Sequence, residues 1–269
     1  MNITRLLLPA CLLLLSAACE TVSTTAPGAV GVDRTQTMLV SEAEVEQGAT
    51  QAYAAELGKA KQQGQLNADP AQTERVRTIA ERLIRQTPVF RPDAAKWDWN
   101  INVQKSDQIN AYCMPGGKIM VYSALIDKLN LSDAELATVI GHEMAHALRE
   151  HSREAASRMR AEQGLGALAQ IAGVDAGVVG LAGTVTQLTF DLPHSRVQES
   201  EADRIGLELM ARAGYDPHAA LSLWQKMGQA NQGGTPAFLS THPSDASRLA
   251  TLQSLLPRVQ PLYEAAARH

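Results

Sequence analysis

The sequence is poor in aromatic residues, in cysteine pairs, in charge of one sign and in long apolar runs. Aromatics make up 4% of its 269 residues, and the 45% apolar content is mostly Ala, Leu and Val. That balance disfavours a β-sandwich and suits helices. The three cysteines are Cys11, Cys19 and Cys113. The first two lie in an N-terminal export-like segment, so Cys113 is left alone as a small hydrophobe and no disulfide framework can form. The net charge of −4, without a long basic stretch, gives nucleic acid binding no electrostatic support. The longest apolar stretch, Leu165 to Leu188, contains Asp175, Gln170, Gln187 and five glycines. It reads as a packed helical hairpin and not as a membrane span. No internal repeat is visible.

What is present begins with Arg5 and an apolar run from Leu6 to Leu15, followed by Ser16-Ala17-Ala18-Cys19. This is the order of a signal peptide, a basic start, a short apolar core and small residues at the cleavage site. Small residues before a cysteine resemble a bacterial lipobox, although Ser16 stands where a Leu is usual. A lipid on Cys19, holding the protein to the outer membrane from the periplasmic side, is the favoured reading, since acyl chains anchor stably. Ordinary signal peptidase cleavage, leaving a periplasmic protein without a lipid, is the alternative. Residues 1–18 are thus expected to be a signal peptide. Residues 19–40, rich in Thr, Gly, Ala and Val, read as a tether, and residues 41–269 as one domain.

Within that domain, Ser41 to Gln63 and Pro70 to Arg85 are predicted helices. Trp97 to Val103 alternates like a strand. Ile109 to Cys113 and Lys118 to Tyr122 flank Pro115-Gly116-Gly117 and form a predicted hairpin. From Ser132 onward the chain reads as helical. The fold class is therefore α+β, mostly α-helical, with a small antiparallel sheet.

The central motif is His142-Glu143-Met144-Ala145-His146. On a helix the two histidines share a face, two imidazoles can reach one ion, and Glu143 can contact its water. Ser132 and Glu135 form a capping box that specifies this helix independently. Catalytic zinc needs three protein ligands and an open position. One protease class takes a third His ten residues after the first, with a Gly between. Here position 152 is Ser, position 149 is Arg and His151 falls one residue short. A second capped helix, Ser195 to Ala213, supplies an acid instead. Glu199 is assigned as the third ligand. Asp203, one turn on, is expected to accept from a ligand imidazole, His142 for preference, and Glu201 to point away.

These residues resemble peptidase family M48. The matching stretches are Asn110-Ala111 through Pro115-Gly116-Gly117, then Gly141 to Leu148, Leu192-Pro193-His194-Ser195-Arg196, Glu199 to Arg204, and Ser240-Thr241-His242-Pro243-Ser244 with Arg248. The resemblance implies a gluzincin-type fold and one Zn2+ per chain, with His142, His146 and Glu199 as ligands and Glu143 as general base. Asn110 and Ala111 would lie on a substrate-binding edge strand. His242 and Arg248 would meet the substrate carbonyl or the transition-state oxygen, and His242 could instead ligate the metal and keep the site latent. The expected activity is hydrolysis of peptide bonds in misfolded periplasmic or outer-membrane proteins, beside the outer-membrane assembly machinery. The other reading is a zinc-containing periplasmic chaperone or assembly factor with little proteolysis. Glu143 argues against it, since a chaperone has no need of that carboxylate.

Overall fold

A computed structural model describes residues 20–170, 180–231, 235–243, 246–266 and 268. The expected signal peptide, Cys19, positions 171–179 of the apolar hairpin, and Ser244 lie outside the described residues.

The elements in chain order are β1 (Glu20–Val22), β2 (Gln36–Met38), α1 (Glu42–Gln62), α2 (Pro70–Ile84), β3 (Asn100–Gln104), β4 (Ala111–Met114), β5 (Lys118–Tyr122) and α3 (Ser123–Leu129). Then follow α4 (Asp133–Leu148), α5 (His151–Gln170), α6 (Leu181–Phe190), α7 (Arg196–Arg212), α8 (Ala219–Ala230), α9 (Ala237–Thr241) and α10 (Ala246–Ala266). The protein is mostly helical, as its composition predicts. No helix among the described residues is long and apolar enough to cross a membrane.

Helix α4 is the centre of the molecule. Its capping box is present: the Glu135 amide donates to Ser132 Oγ at 3.3 Å, and the Ser132 amide donates to Glu135 Oε2 at 2.8 Å. Every residue from Glu135 to Leu148 is buried. Helix α7 has the same device, with Ser195 and Gln198 as its box. The two helices cross where Gly141 meets Gly206. A Cβ on Gly206 would sit 2.8 Å from the His142 backbone nitrogen, and one on Gly141 would sit 3.1 Å from the Gly206 carbonyl oxygen. Only glycine allows this approach, and the approach brings the acids of α7 to the histidines of α4.

The hairpin forms as predicted. Gly117 takes φ +79° in its turn, and a Cβ there would strike the Trp99 ring at 2.6 Å. The sheet is not wholly antiparallel, however. Its order is β3-β5-β4, with β3 parallel to β5 and β4 antiparallel to β5. Local alternation marks a strand without naming its partner. Among the described residues β4 is thus an edge strand of this sheet, packed beside α4.

The expected tether is folded from Glu20 onward. β1 pairs antiparallel with β2, and Val30, Val32, Met38 and Val40 are buried. The Val30 amide donates to Glu208 Oε2 at 3.0 Å, and Arg204 donates to the Val30 carbonyl. Small side chains suggested a linker. Here they let this segment lie as a strap against α7.

Candidate metal centre

Helix α4 presents His142 and His146 one turn apart, with their Nε2 atoms 3.1 Å from each other. From α7, Glu199 places Oε2 3.5 Å from His142 Nε2 and Oε1 3.3 Å from His146 Nε2. The ligating atoms of His142, His146, Glu199 and His242 lie within 4.8 Å of one another, all buried. The three residues assigned as ligands are therefore brought together, and His242 joins them. His242 Nδ1 is 3.0 Å from Glu199 Oε1 and 3.3 Å from His142 Nε2. Its Nε2 is 3.4 Å from Glu143 Oε1.

Asp203 occupies its predicted place, with Oδ1 accepting from His142 Nδ1–H at 2.9 Å. That contact puts a proton on His142 Nδ1 and turns Nε2 towards His146 and Glu199. Burial disfavours charge on His142, but the hydrogen bonds from Asp203 and Glu199 outweigh it and lift its pKa to about 9. Burial raises Glu199 too, yet His242, His142 and His146 more than offset this and hold it far below the usual carboxylate range. Burial, then the nearby His194, pushes His146 well down, which keeps that imidazole neutral. Glu143 is pushed up by burial against the opposing pull of His242 and His142. Its Oε1 is buried without a hydrogen-bond partner among the described residues.

These residues fit a divalent cation. Two imidazoles and a carboxylate bring their ligand atoms together in one buried space, the kind of donor set a divalent ion takes. A set of two imidazoles and a carboxylate suits zinc, and Glu143 Oε1 reaches the same cluster through His242 Nε2, 3.4 Å away.

The surrounding residues add detail to the sequence expectations. Arg248 is buried and committed to carboxylates. Its Nε donates to Asp203 Oδ2 at 2.6 Å, its Nη2 donates to Glu199 Oε2 at 2.7 Å, and its guanidinium lies 3.6 Å above the Trp224 ring. These contacts tie the two acids of α7 together. His151 is no ligand, because its Nδ1 approaches His146 from behind, 2.9 Å from Nδ1. Glu201 points away from the centre, as expected, and its Oε2 is 3.0 Å from His151 Nε2. Asn110 and Ala111 stand at the start of the edge strand β4, both buried. There Asn110 Oδ1 accepts from the Ala111 amide at 3.0 Å, and the Phe238 amide donates to the Ile109 carbonyl.

His194 carried no role of its own in the sequence reading. Its ring lies over His146, centroids 4.0 Å apart and tilted 33°. Its backbone amide donates to the Thr241 carbonyl, which ties the start of α7 to the end of α9 and seats His242. Only its position just before the Ser195 cap hinted at this.

The sequence profile of peptidase family M48 matches residues 70–256. The chain is 39% identical over 150 residues to the mitochondrial metalloendopeptidase OMA1 of Arabidopsis thaliana, covering 56% of this chain and 30% of that protein. It is 32% identical over 183 residues to the same-named protein of Saccharomyces cerevisiae, covering 64% and 50%. With the beta-barrel assembly-enhancing protease of Escherichia coli K12 it shares 29% identity over 204 residues, 72% and 41% of the two chains. The chain spans half or less of the length of these relatives.

Proposed function

The chain belongs to peptidase family M48, and from that premise we propose that it is a zinc-dependent metalloendopeptidase. The observation that carries the proposal is one buried space in which His142, His146 and Glu199 bring their ligand atoms together, with Glu143 Oε1 3.4 Å from His242 Nε2 of the same cluster.

In this reading His142, His146 and Glu199 hold one Zn2+ per chain. Bound zinc supplies a lowered water pKa and polarises the scissile carbonyl. Asp203 and Arg248 keep His142 and Glu199 in place. Glu143 Oε1 takes a proton from the attacking water and hands it to the leaving amide nitrogen, a task suited to a carboxyl whose pKa burial has raised. His242 Nε2 faces the same space and can meet the charge that develops on the substrate oxygen. An extended polypeptide adds beside β4, where backbone pairing gives broad selectivity. The substrates are periplasmic or outer-membrane polypeptides, chiefly misfolded ones. A lipid on Cys19 holds the enzyme to the outer membrane near the assembly machinery. The apolar run Leu6 to Leu15 followed by Ser16-Ala17-Ala18-Cys19, and the similarity to a β-barrel assembly-enhancing protease, support that setting.

One observation favours the assembly-factor reading. His242 lies among the ligands, 3.0 Å from Glu199, where it can hold the resting site latent. Glu143→Gln separates the two. The variant is expected to retain zinc and lose cleavage of an unfolded polypeptide, and normal cleavage by it would end the peptidase mechanism. Lost cleavage with undisturbed outer-membrane assembly would favour the second reading.

A further inference from the structure

An imidazole that ligates through Nε2 must carry its proton on Nδ1, and something must accept that proton. For His142 the acceptor is the Asp203 carboxylate. For His146 the group behind Nδ1 is another imidazole, His151, with the two Nδ1 atoms 2.9 Å apart. Between two ring nitrogens one must bring the proton and the other the lone pair.

The rest of the contact decides which. His151 Nε2 lies 3.0 Å from Glu201 Oε2. Glu201 is an acceptor only: Arg34 Nε donates to its Oε1 at 2.7 Å and Arg149 Nη2 donates to it at 3.2 Å, so the carboxylate faces two guanidinium groups. The His151 proton therefore sits on Nε2, facing Glu201. His151 is wholly buried, and with its proton on Nε2 it presents the lone pair of Nδ1 to His146. His146 must then donate from Nδ1, which leaves its Nε2 lone pair facing Glu199 and His142. Every proton in the row has one consistent place.

The backbone is bent to make this contact. Glu150, between α4 and α5, takes φ +51°, a left-handed conformation that costs a non-glycine residue energy. It is pinned there by ion pairs to Arg91 and Arg153. The turn swings His151, the first residue of α5, back behind His146.

We propose that His151, backed by Glu201, is a positioning residue that fixes the tautomer and ring orientation of His146. This inference rests on His146 being a metal ligand.

The test uses the full chain stripped of metal, with zinc alone as the probe and a competing chelator as the readout. Loss of a group behind a ligand imidazole weakens metal binding by about 10- to 100-fold, and His151→Phe is expected to do so. His151→Gln offers an amide oxygen to His146 and an amide N–H to Glu201, so it should recover most of the affinity. Equal zinc affinity in His151→Phe and wild type would overturn the proposal. So would equal losses in the Phe and Gln variants, which is what space filling alone would give. Nitrogen-15 spectra of the metal-free wild type give a readout independent of any variant. They should show His146 protonated on Nδ1 and His151 on Nε2, and the opposite tautomers would refute the idea. A wild type that binds no zinc removes the metal reading itself, whereas a wild type that binds zinc beside an unaffected His151→Phe removes only this inference.

Discussion

The two histidines of α4 are held in different ways. Behind His142 the support is short: one carboxylate, Asp203, directly on Nδ1, with Arg248 donating to it and Trp224 under the guanidinium. Behind His146 the support is a row, His151 then Glu201 then Arg149 and Arg34. The row runs outward to the N-terminal strap, where Arg34 also donates to Glu154 and where Arg149 donates to the Arg34 carbonyl. The first side is dry and compact. The second ends at a cation that is about a third exposed. The same requirement, a proton held on Nδ1, is met once by a buried ion pair and once by a relay anchored at the surface. Disturbance of the strap should therefore reach one ligand and not the other.

The largest effect should come from breaking the compact side. Arg248→Ala leaves Glu199 and Asp203 buried without their shared cation, and removing one partner of a buried pair costs about 3–5 kcal/mol. Chemical denaturation of the metal-free variant measures this, and a loss below about 1 kcal/mol would show that Arg248 does not hold the acids together. Next comes Gly206→Ala, which strikes both sides at once. Its Cβ would meet the His142 backbone nitrogen at 2.8 Å, so α4 and α7 must part, at about 1–3 kcal/mol with weaker zinc binding. An Ala variant with native stability and zinc affinity would show that the crossing has slack.

Acid sharpens the comparison further. Burial raises Glu154 and Glu201, but Arg34, Gln36 and Gln198 on the first and His151, Arg34 and Arg149 on the second pull both to about 2, from an ordinary 4.5. Their folded pKa values are depressed, so the stability they contribute is fully present above 4.5 and is lost as the pH falls towards 2. Stability measured over that window should fall, and Arg34→Ala should flatten the fall. At neutral pH the smallest effect is expected from Arg34→Ala itself, at most about 1 kcal/mol, because its ion pairs are partly solvated. A larger loss would mean that the strap carries more of the relay than its exposure implies.

Much of the compact side was legible in the sequence, and the reason is range. Ser132 with Glu135, and Ser195 with Gln198, act within a single turn, so both helices and their faces could be placed from local residues. Once they were placed, His142, His146, Glu199 and Asp203 followed from four-residue spacing. The relay was not legible. Arg34 and Glu201 are 167 positions apart, and nothing near either marks the other. The strap misled for the same reason, since Val30 and Val32 look like linker residues until α7 is laid against them. The family resemblance placed Arg248 at the site, but nothing in the sequence showed that its guanidinium pairs with both Asp203 and Glu199. The parallel pairing of β3 with β5 was missed because alternation carries no partner information.

The central claim is that α4 and α7 together gather two imidazoles and one carboxylate around a single ion. Zinc-edge X-ray absorption on the purified full chain tests it most directly. The account predicts one zinc per chain with imidazole scattering from two ligands and nitrogen or oxygen neighbours at about 2.0–2.2 Å, and loss of that signal in His146→Ala. A protein that takes up no divalent metal, or zinc bound without imidazole, would contradict it.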